Sequence, residues 1–391
     1  MKIKIDNDLL IRITFLMAAM IVVLQVLKLE TVMSRLFYIL FVVVAVSWIL
    51  TVISKMQRND VLLLFIMLLS AISVLYNSTR YFGAINFEYF KKLIMFFSAL
   101  MFFQIACKCK MNQETEQFIL NINSLVILFL IIMYFTFNEE MYVWNDRNVR
   151  YLMFRFTNPN LIGLFLTCMT MIEAARIYEK KWINKLFHGF QVVMLLNFIT
   201  KTESRNCLLA LVIFGAGIFF TIVINKKQYR IGKAMSLFIS ILPLIFVIIY
   251  MLFVKNGAVR EIFSFITNEQ KTLSSRWEVW TYAVESVRNF PFLGTYNTII
   301  EDIGVSHFHN SHLDVMASYG LIVFCLFCAF LRNIVCCQID NDKKAFVFQI
   351  GFCGVLLFGI GEAAVFSGGL SLFVFAGMLR ALAGRKIAAD R

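Results

Sequence analysis

The run SHFHNSHLD at residues 306–314 leads directly into the apolar run VMASYGLIVFCLFCAFLRNIVCC at residues 315–337. The chain has 391 residues and four histidines, and most of those histidines lie in the first of these two runs. The second run is long enough to cross a bilayer, since a spanning helix needs about 20 apolar residues. Polar and titratable side chains therefore lie at the lip of a membrane helix, and this is where we expect the chemistry.

Capping signals predict where this helix begins. Ser311 can act as its N-cap, and Asp314, three residues later, completes a pair similar to a capping box. The helix is then expected to run from Leu313 to about Cys337. Its N–H groups and the positive end of its dipole would face the histidines, so the sequence predicts an anion site there.

The composition indicates an integral membrane protein. It is 60% hydrophobic, with 42 Phe and 3 Pro, whereas soluble domains are about 45–50% apolar. The apolar runs are continuous, which excludes an outer-membrane barrel. The predicted fold is all-α, a polytopic integral membrane protein with one membrane domain over residues 1–391. Its twelve expected spans are 9–27, 35–54, 61–76, 91–107, 117–136, 159–177, 187–200, 207–224, 233–254, 313–337, 346–361 and 366–383.

The basic residues predict the orientation. Short loops on the same side as the N-terminus are richer in Lys and Arg, so both termini should be cytoplasmic. The net charge of +13 is then explained by the basic residues that set the orientation in the membrane, and no nucleic-acid partner is expected. No small-residue cleavage site follows the first apolar run, so the first span should be retained. Segment 255–312 becomes an extracytoplasmic loop with short helices between the ninth and tenth spans.

This loop contains a predicted amphipathic helix from Arg276 to Asn289, which Pro291 and Gly294 end. Ser275 to Glu278 forms a capping-box pattern at its start. The apolar face would hold Trp277, Trp280, Val284 and Val287. The polar face would hold Glu278, Thr281, Glu285 and Arg288. Such a helix is expected to lie along the outer membrane surface, with its tryptophans buried.

Arginines recur on the predicted outer side. The loop 137–158 contains Arg147, Arg150 and Arg155, and the pair Asn158-Pro159 should cap and open the next helix. Arg205 opens the eighth span after a short outer turn, and a guanidinium there suits bidentate contact with phosphate. The plainer interpretations are arginines that face solvent or lipid headgroups and, for Arg205, an interfacial pair with Glu203.

Metal and transport chemistry find less support in the sequence. His307, His309 and His312 have a spacing that could ligate zinc, but apart from Asp314 no carboxylate or Cys pattern supports a metal site. The long outer segment contains no cysteine, so no structural disulfide is expected. Glu173 and Arg176 should form a local pair. Deep acids are otherwise scarce, which disfavours an ion-coupled transporter.

Several motifs together resemble the O-antigen ligase and polymerase superfamily of bacterial membrane glycosyltransferases. His309-Asn310 is followed ten residues later by Gly320, and Ser204-Arg205 opens a span. Arg276 and Trp280 precede the run PFLG at residues 291–294. Asn158-Pro159-Asn160 and the long loop between the ninth and tenth spans also fit. The resemblance covers roughly residues 140–325.

The resemblance implies an inverting, metal-independent glycosyltransferase without a cofactor. The donor would be a polyprenyl-diphosphate-linked glycan at the outer face of the cytoplasmic membrane. By motif position, His309 would be catalytic, and Arg205, Arg276 and Arg150 would bind the diphosphate. Asn310, His312, Arg155 and Arg288 would support the site, and Arg155 is the alternative to Arg150.

The chemistry of these residue types agrees with that assignment. Loss of a glycosyl diphosphate develops negative charge, which arginines and helix N-termini stabilise. The acceptor is a sugar hydroxyl that must lose a proton, and histidine titrates near neutral pH and is suited to be its base. We therefore expect His309 to activate the acceptor while Arg205 and Arg276 hold the diphosphate.

Several functions stay open at this point, and a non-enzymatic membrane scaffold is among them, although it would not need Arg and His gathered at one lip. A polymerase would extend a surface polysaccharide such as O-antigen, capsule or exopolysaccharide, and a chain-length regulator or flippase could be its partner. A ligase would transfer finished glycan to a lipid A core or a protein. Arg147 and Gly163 have a spacing described for polymerases, which slightly favours that function. A lipid-linked oligosaccharide flippase is the alternative from another class.

Overall fold

The computed structural model describes residues 7–82, 87–144, 150–156, 158–178, 181–223, 228–254, 272–295, 308–340, 342–363, 365–366 and 371–384. Their helices are α1 (Asn7–Val26), α2 (Glu30–Ser54), α3 (Arg58–Phe82), α4 (Phe87–Lys108), α5 (Gln113–Thr136), α6 (Pro159–Ala174), α7 (Trp182–Lys201), α8 (Arg205–Val223), α9 (Lys233–Val254), α10 (Thr272–Asn289), α11 (Ser311–Tyr319), α12 (Leu321–Val335), α13 (Lys343–Phe358) and α14 (Leu372–Ala383).

The helices confirm a polytopic all-α membrane protein. Among the described residues, six helices are long and apolar enough to cross a membrane: α1 to α5 and α9. Four shorter apolar helices are α6, α8, α12 and α14. Every apolar run expected to span contains a helix, but the number of twelve crossings stays a prediction because several of these helices are short.

The helices α13 and α14 form the centre of the bundle. Nearly every described side chain of both helices is buried, and α13 packs against α8 and α14, while α14 packs against α4, α6 and α1. A helix that is apolar all round is stable only when other helices surround it or lipid does. Gly377 permits a close approach, since a Cβ there would lie 2.5 Å from the Phe102 ring.

The outer helices present large apolar side chains to the surroundings. Ile53, Phe135, Val212, Phe219 and Leu252 are each at least 61% exposed. Water would make this surface unfavourable, whereas a lipid hydrocarbon region accepts it. The exposed face of these helices is therefore the face that contacts lipid.

The predicted single helix from Leu313 to Cys337 is wrong. The chain breaks at Gly320, whose φ is 91°, and this glycine separates α11 from α12. The segment that follows α10 crosses at the break, where the Leu321 N–H donates to the Pro291 carbonyl at 2.7 Å. A Cβ on Gly320 would lie 2.1 Å from the Phe292 carbonyl oxygen, so only glycine fits this crossing.

Gly294 shows the same requirement from the other side of the crossing. Its φ is 62°, and a Cβ there would lie 2.5 Å from the Ala317 carbonyl oxygen. The neighbouring Leu293 carbonyl accepts hydrogen bonds from Ser73 and Asn77 on α3. The run at residues 291–294 and the distant Gly320 are thus two halves of one backbone contact that locks α11 in place.

α10 covers the residues predicted to form an amphipathic helix, and its buried face is shifted from the predicted one. α10 packs against α11, and its buried residues include Val279, Trp280, Ala283 and Ser286. Val284, expected on the apolar face, is 43% exposed. The predicted polar face is exposed and Trp280 of the predicted apolar face is buried. The helix packs on protein, with Trp280 Nε1 donating to the Phe308 carbonyl at 2.9 Å. The side chain of Trp277 lies outside the described residues.

Two short antiparallel strand pairs complete the described fold. β1 (Tyr142–Trp144) pairs with β2 (Arg150–Leu152), just before α6. β3 (Gln228–Ile231) pairs with β4 (Cys337–Asp340) and joins the loop before α9 to the end of α12. The first hairpin carries Arg150 and therefore fixes where that arginine lies.

Candidate active site

His309 occupies a turn with an unusual backbone. Its φ is 51°, in the left-handed region that residues other than glycine seldom adopt. The conformation is imposed by Asn310, the true N-cap of α11, whose Oδ1 accepts from the His312 and Leu313 N–H groups at 3.0 Å each. The prediction of Ser311 as the cap is therefore wrong, because Ser311 is already the first helical residue.

Asn310 also joins α11 to two other parts of the bundle. Its Nδ2 donates to the carbonyls of Pro243 in α9 and Ile360 after α13, both at 3.0 Å. The side chain is fully buried, and the Ser311 N–H donates to Gly359 at 3.0 Å. Asn310 therefore holds the histidine turn against the end of α13, which is the segment that contains Glu362.

Asp314 supports the same turn from inside the helix. Its Oδ1 accepts from the Phe308 N–H at 3.3 Å, so it reaches back beyond the N-cap and not to Ser311. Phe308 is fully buried and accepts the hydrogen bond from Trp280. Asp314 lies in the first turn of the helix as predicted, but its partner is Phe308, three residues before the predicted partner Ser311.

Glu362 faces His309 at this turn. Its Oε2 lies 3.5 Å from the imidazole Nδ1, and the Glu362 side chain is only 3% exposed. The His309 side chain is 29% exposed, so the imidazole is accessible and the carboxylate behind it is not. Of the two ring nitrogens, Nδ1 is therefore the one that lies beside the buried carboxylate.

The start of α6 holds Glu362 from the other side. Asn160 Nδ2 donates to Glu362 Oε1 at 2.6 Å, and Asn160 Oδ1 accepts from Ser204 Oγ at 2.7 Å. Asn158 caps α6 through the Asn160 N–H, and Pro159 occupies its first turn, as predicted. The Asn-Pro-Asn and Ser-Arg motifs are thus joined to the histidine motif through one buried carboxylate.

Three helix N-termini converge at this carboxylate. α6 contributes Asn160, α8 begins at Arg205 directly after Ser204, and α11 begins at Ser311. A Cβ on Gly361 would lie 2.2 Å from Asn206, so the start of α8 also touches the chain beside Glu362. Helix N-termini carry partial positive charge and unsatisfied N–H groups, which makes their meeting point suited to an anion.

Arg205 is exposed at the first position of α8. The turn that precedes it contains Glu203 with φ 54° and is closed by the Glu203 N–H donating to Thr200. Ser204, the residue before Arg205, donates to Asn160 Oδ1 at 2.7 Å, so the backbone of Arg205 begins α8 close to the residues that hold Glu362. This position fits a group that approaches from outside the bundle.

Arg276 belongs to α10, which packs against the turn that contains His309. The backbone of Arg276 lies in the second turn of this helix, four residues before Trp280, and its side chain lies outside the described part of the chain. Trp280 connects the helix to Phe308, the residue before His309. Arg288 is exposed near the end of the helix, next to Asn289.

The side chain of Arg150 makes its contacts within and next to the first hairpin. Its Nη2 lies 2.7 Å from Glu139 Oε2, and its guanidinium stacks on the Tyr142 ring at 4.1 Å from the centroid. Tyr142 in turn contacts Tyr134, whose hydroxyl accepts from Lys201 at 2.6 Å. The hairpin is thereby tied to the last residue of α7, three residues before Ser204. Arg147 lies outside the described residues.

The contacts among Lys201, Tyr134 and Tyr142 determine the protonation states of Lys201 and Tyr142. The hydrogen bond to Tyr134 raises the pKa of Lys201, and burial raises the pKa of Tyr142. Both groups therefore stay protonated at neutral pH, with Lys201 cationic beside the α7–α8 turn. Lys201 adds a second cation near Arg205, and only its position at the membrane lip signals it in the sequence.

Arg155 and His312 hold helices together. Arg155 has φ 64°, pairs with Glu140 and donates to the Val26 carbonyl at the end of α1. His312 is buried, with Nε2 in contact with the Ser240 carbonyl of α9. The ring packs on Phe327 at 5.5 Å. These contacts orient both side chains toward structure and away from the exposed face of His309.

No metal cluster is seen where the structure describes the chain, since no three His, Cys, Asp or Glu side chains gather there in a suitable arrangement. His307, the first member of the histidine run, lies outside the described residues. Of the remaining two, His309 pairs with Glu362 and His312 is bound to α9. The two rings thus serve different partners.

Sequence reasoning missed Glu362 as a site residue. The position of Glu362 near the outer end of an expected span is one where acids are common, because interfaces tolerate them. The stronger signal is the composition of its surroundings, GIGEAAV at residues 359–365, where one acid stands among small and apolar residues. An isolated acid in such a run must find a buried partner.

The structure brings His309, Glu362 and Asn160 together beside Ser204, the residue before Arg205. Residues 190–328 match the family model described as O-antigen ligase. The match confirms the resemblance to the O-antigen ligase and polymerase superfamily, and it includes Arg205, Arg276 and His309. Together with the membrane helices, the match supports, broadly, a membrane glycosyltransferase of that type in the bacterial inner membrane. A search among curated proteins gave no match.

Proposed function

We propose that the protein transfers a polyprenyl-diphosphate-linked oligosaccharide to a sugar hydroxyl at the outer face of the cytoplasmic membrane. Extension of a surface polysaccharide, such as O-antigen, capsule or exopolysaccharide, is the favoured reaction. The observation that carries the proposal is the exposed His309 imidazole 3.5 Å from the buried Glu362 carboxylate, at a point where three helices begin. That arrangement suits removal of a proton beside a bound anion.

The reaction is a single displacement with His309 as general base. The acceptor hydroxyl gives its proton to Nε2 as its oxygen forms the bond to the anomeric carbon. The bond from that carbon to the diphosphate oxygen breaks, and the electron pair leaves with the lipid diphosphate. Attack opposite the leaving group inverts the anomeric centre. Glu362 holds Nδ1 and stabilises the imidazolium that forms.

The leaving diphosphate gains negative charge during this step. Arg205 and Arg276 are assigned to hold it, assisted by the N-termini of α6, α8 and α11. Such donors lower the barrier because they interact more strongly with the developing charge than with the bound donor. No metal or cofactor is required in this scheme, since the arginines supply the positive charge.

The acceptor distinguishes the two reactions of this superfamily. A polymerase would accept another lipid-linked repeat unit or the growing chain, whereas a ligase would accept a lipid A core or a protein. A flippase is the other candidate, and it would need a polar path open alternately to both sides of the membrane. The gathering of Arg205, His309 and Glu362 at one end of the bundle favours an enzyme.

The decisive experiment is incubation of the purified protein with a lipid-linked repeat unit. Polymerase activity would give a ladder of longer lipid-linked glycans and free polyprenyl diphosphate. Adding a lipid A core acceptor tests the ligase, which would give one capped product and no ladder. Lipid-linked glycan that moves across vesicles without new glycosidic bonds would instead indicate a flippase.

A further inference from the structure

A second feature near the site is a cavity of about 380 Å³ between α1, α2, α4, α6 and the start of α14. Small-molecule pockets have volumes of about 300–1,000 Å³, so this one is large enough for a ligand group. Most of its wall is apolar. Those residues are Ile21, Val22, Met33, Met95, Phe156, Leu161 and Phe165.

The rest of the cavity wall is polar. Gln25, Glu30, Lys91 and Ser371 line it together with the apolar residues. Gln25 donates to the Arg155 carbonyl at 3.1 Å, and Ser371 donates to the Ala18 carbonyl at 3.3 Å. Amphipathic surroundings of this kind fit a molecule that has a hydrocarbon body and a polar end.

The cavity lies directly beside the candidate active site. Leu161 in its wall follows Asn160, which binds Glu362 at 2.6 Å. Phe156 in its wall follows Arg155, which pairs with Glu140 and donates to the Val26 carbonyl. A ligand whose polar end left the cavity past Leu161 would therefore arrive at the meeting point of α6, α8 and α11.

The polar part of the wall distinguishes this cavity from a second, smaller groove in the molecule. A groove of about 280 Å³ between α1 and α5 has a wall formed only of Ala, Leu, Ile, Met, Val and Phe side chains. That groove contacts lipid-facing residues such as Met20 and Leu125, and any acyl chain would suit it. The larger cavity instead combines a hydrocarbon wall with the charged groups of Glu30 and Lys91, and its wall residue Leu161 directly follows Asn160.

We propose that this cavity holds the first isoprene units of the donor's polyprenyl chain, with the diphosphate leaving it past Leu161. This inference rests on the proposed function, because it assigns the lipid part of the same donor. The flexible side chains of Met33 and Met95 adapt to a methyl-branched chain, and Phe156 and Phe165 give it rigid flat walls. Lys91 supplies a cation at the polar end.

The first test is photolabelling with a diazirine-bearing polyprenyl monophosphate that carries no glycan. Labelled peptides are expected to contain Met95 or Phe165, and unlabelled polyprenyl diphosphate should compete. Equal competition by phosphatidylglycerol would mean that a phospholipid occupies the cavity and would overturn the proposal. Because the probe has no glycan, the result does not depend on transfer activity.

The second test fills the cavity and measures transfer. Met95→Trp should raise the KM for a long-chain donor by at least about tenfold, since each buried methylene is worth several-fold in affinity. A donor whose diphosphate carries a methyl group in place of the polyprenyl chain should be far less affected, because it has no isoprene unit to place in the cavity. Met20→Trp, which fills the separate groove, is the matched control and should leave both KM values unchanged.

Lys91→Gln provides a variant that keeps the cavity open if Met95→Trp fails to fold. It should raise the KM for the long-chain donor and for the methyl-bearing donor alike. Unchanged KM values in both cavity variants, with glycans still elongated, would overturn the cavity proposal alone. Labelling of the cavity in a protein that elongates no glycan would instead refute the proposed function and leave the lipid site standing.

Discussion

The imidazole Nδ1 of His309 lies 3.5 Å from a carboxylate oxygen of Glu362, and 53 positions of the chain separate the two residues. His309 precedes α11 and Glu362 follows α13, so the pair exists only when these two helix ends meet. Asn310 makes that meeting through its hydrogen bond to Ile360 at 3.0 Å. Asn310 of the histidine motif thus positions His309 against the buried carboxylate of Glu362.

Replacing His309 with alanine should abolish most of the transfer activity. A positioned general base contributes roughly 10²–10⁴-fold to a rate, so kcat for glycan elongation should fall by about that factor. The measurement is the initial rate with a lipid-linked repeat unit. His309→Ala protein that is correctly inserted and retains near-wild-type transfer would show that His309 is not the base.

Glu362→Gln should lower kcat and leave the KM for the donor nearly unchanged. Glutamine can still accept from Asn160, but it cannot stabilise an imidazolium, and that charge exists only in the transition state. We expect a fall of at least about tenfold. Glu114→Gln is the control, since Glu114 is 86% exposed and pairs with Arg12. A KM effect without a kcat effect would contradict the assigned role.

Arg205→Ala should reduce kcat by about 10²–10³-fold, the usual cost of removing one donor to a developing charge. Arg205→Lys should recover only part of this loss, because an ammonium cannot make a bidentate contact with phosphate. Arg12→Ala removes the same charge from a residue that binds Thr115 and Glu114, and its activity should match wild type. Full activity in Arg205→Ala would exclude the assignment.

Most of the architecture could be predicted from the sequence because lipid imposes one simple rule on it. A run of about 20 apolar residues must satisfy its backbone internally, and a helix does so. The runs at residues 9–27 and 233–254 therefore became α1 and α9 almost unchanged. The exposed apolar surface of these helices follows from the same rule.

The break at Gly320 could not be predicted because its cause is a distant segment. Nothing within residues 313–337 interrupts the apolar pattern, and one glycine is tolerated inside a helix. The requirement comes from Phe292, whose carbonyl occupies the space of a Cβ. Glu362 escaped notice for a related reason, since its partners Asn160 and His309 lie far from it in the chain.

Gly320→Ala should destabilise the protein severely. The residue needs φ 91°, and the added Cβ would lie 2.1 Å from a backbone oxygen, which cannot move away as a side chain could. The control is Gly215→Ala in α8, where a Cβ would meet nothing within 4 Å. That change should be neutral or stabilise by about 0.4–1 kcal/mol. Thermal unfolding in detergent would compare the two, and equal midpoints would refute the crossing.

A buried ionic cluster at the other end of α6 should contribute stability and not catalysis. Glu173 is fully buried, with Oε1 2.5 Å from His188 Nδ1 and 3.5 Å from Arg176 Nε, which confirms the predicted local pair. Its Oε2 accepts from Asn123 at 2.9 Å. These contacts join α5, α6 and α7, far along α6 from Asn160.

Glu173→Ala would leave three buried cationic or polar partners without their carboxylate, so the free energy of unfolding should fall by about 3–5 kcal/mol. Glu114→Ala removes an acid from a surface pair and should cost less than about 1 kcal/mol. Reversible unfolding in detergent gives both values. The rate of transfer per folded molecule should be unchanged in Glu173→Ala. A loss of kcat at full folding would connect this cluster to the reaction, as a proton path through the bundle would require.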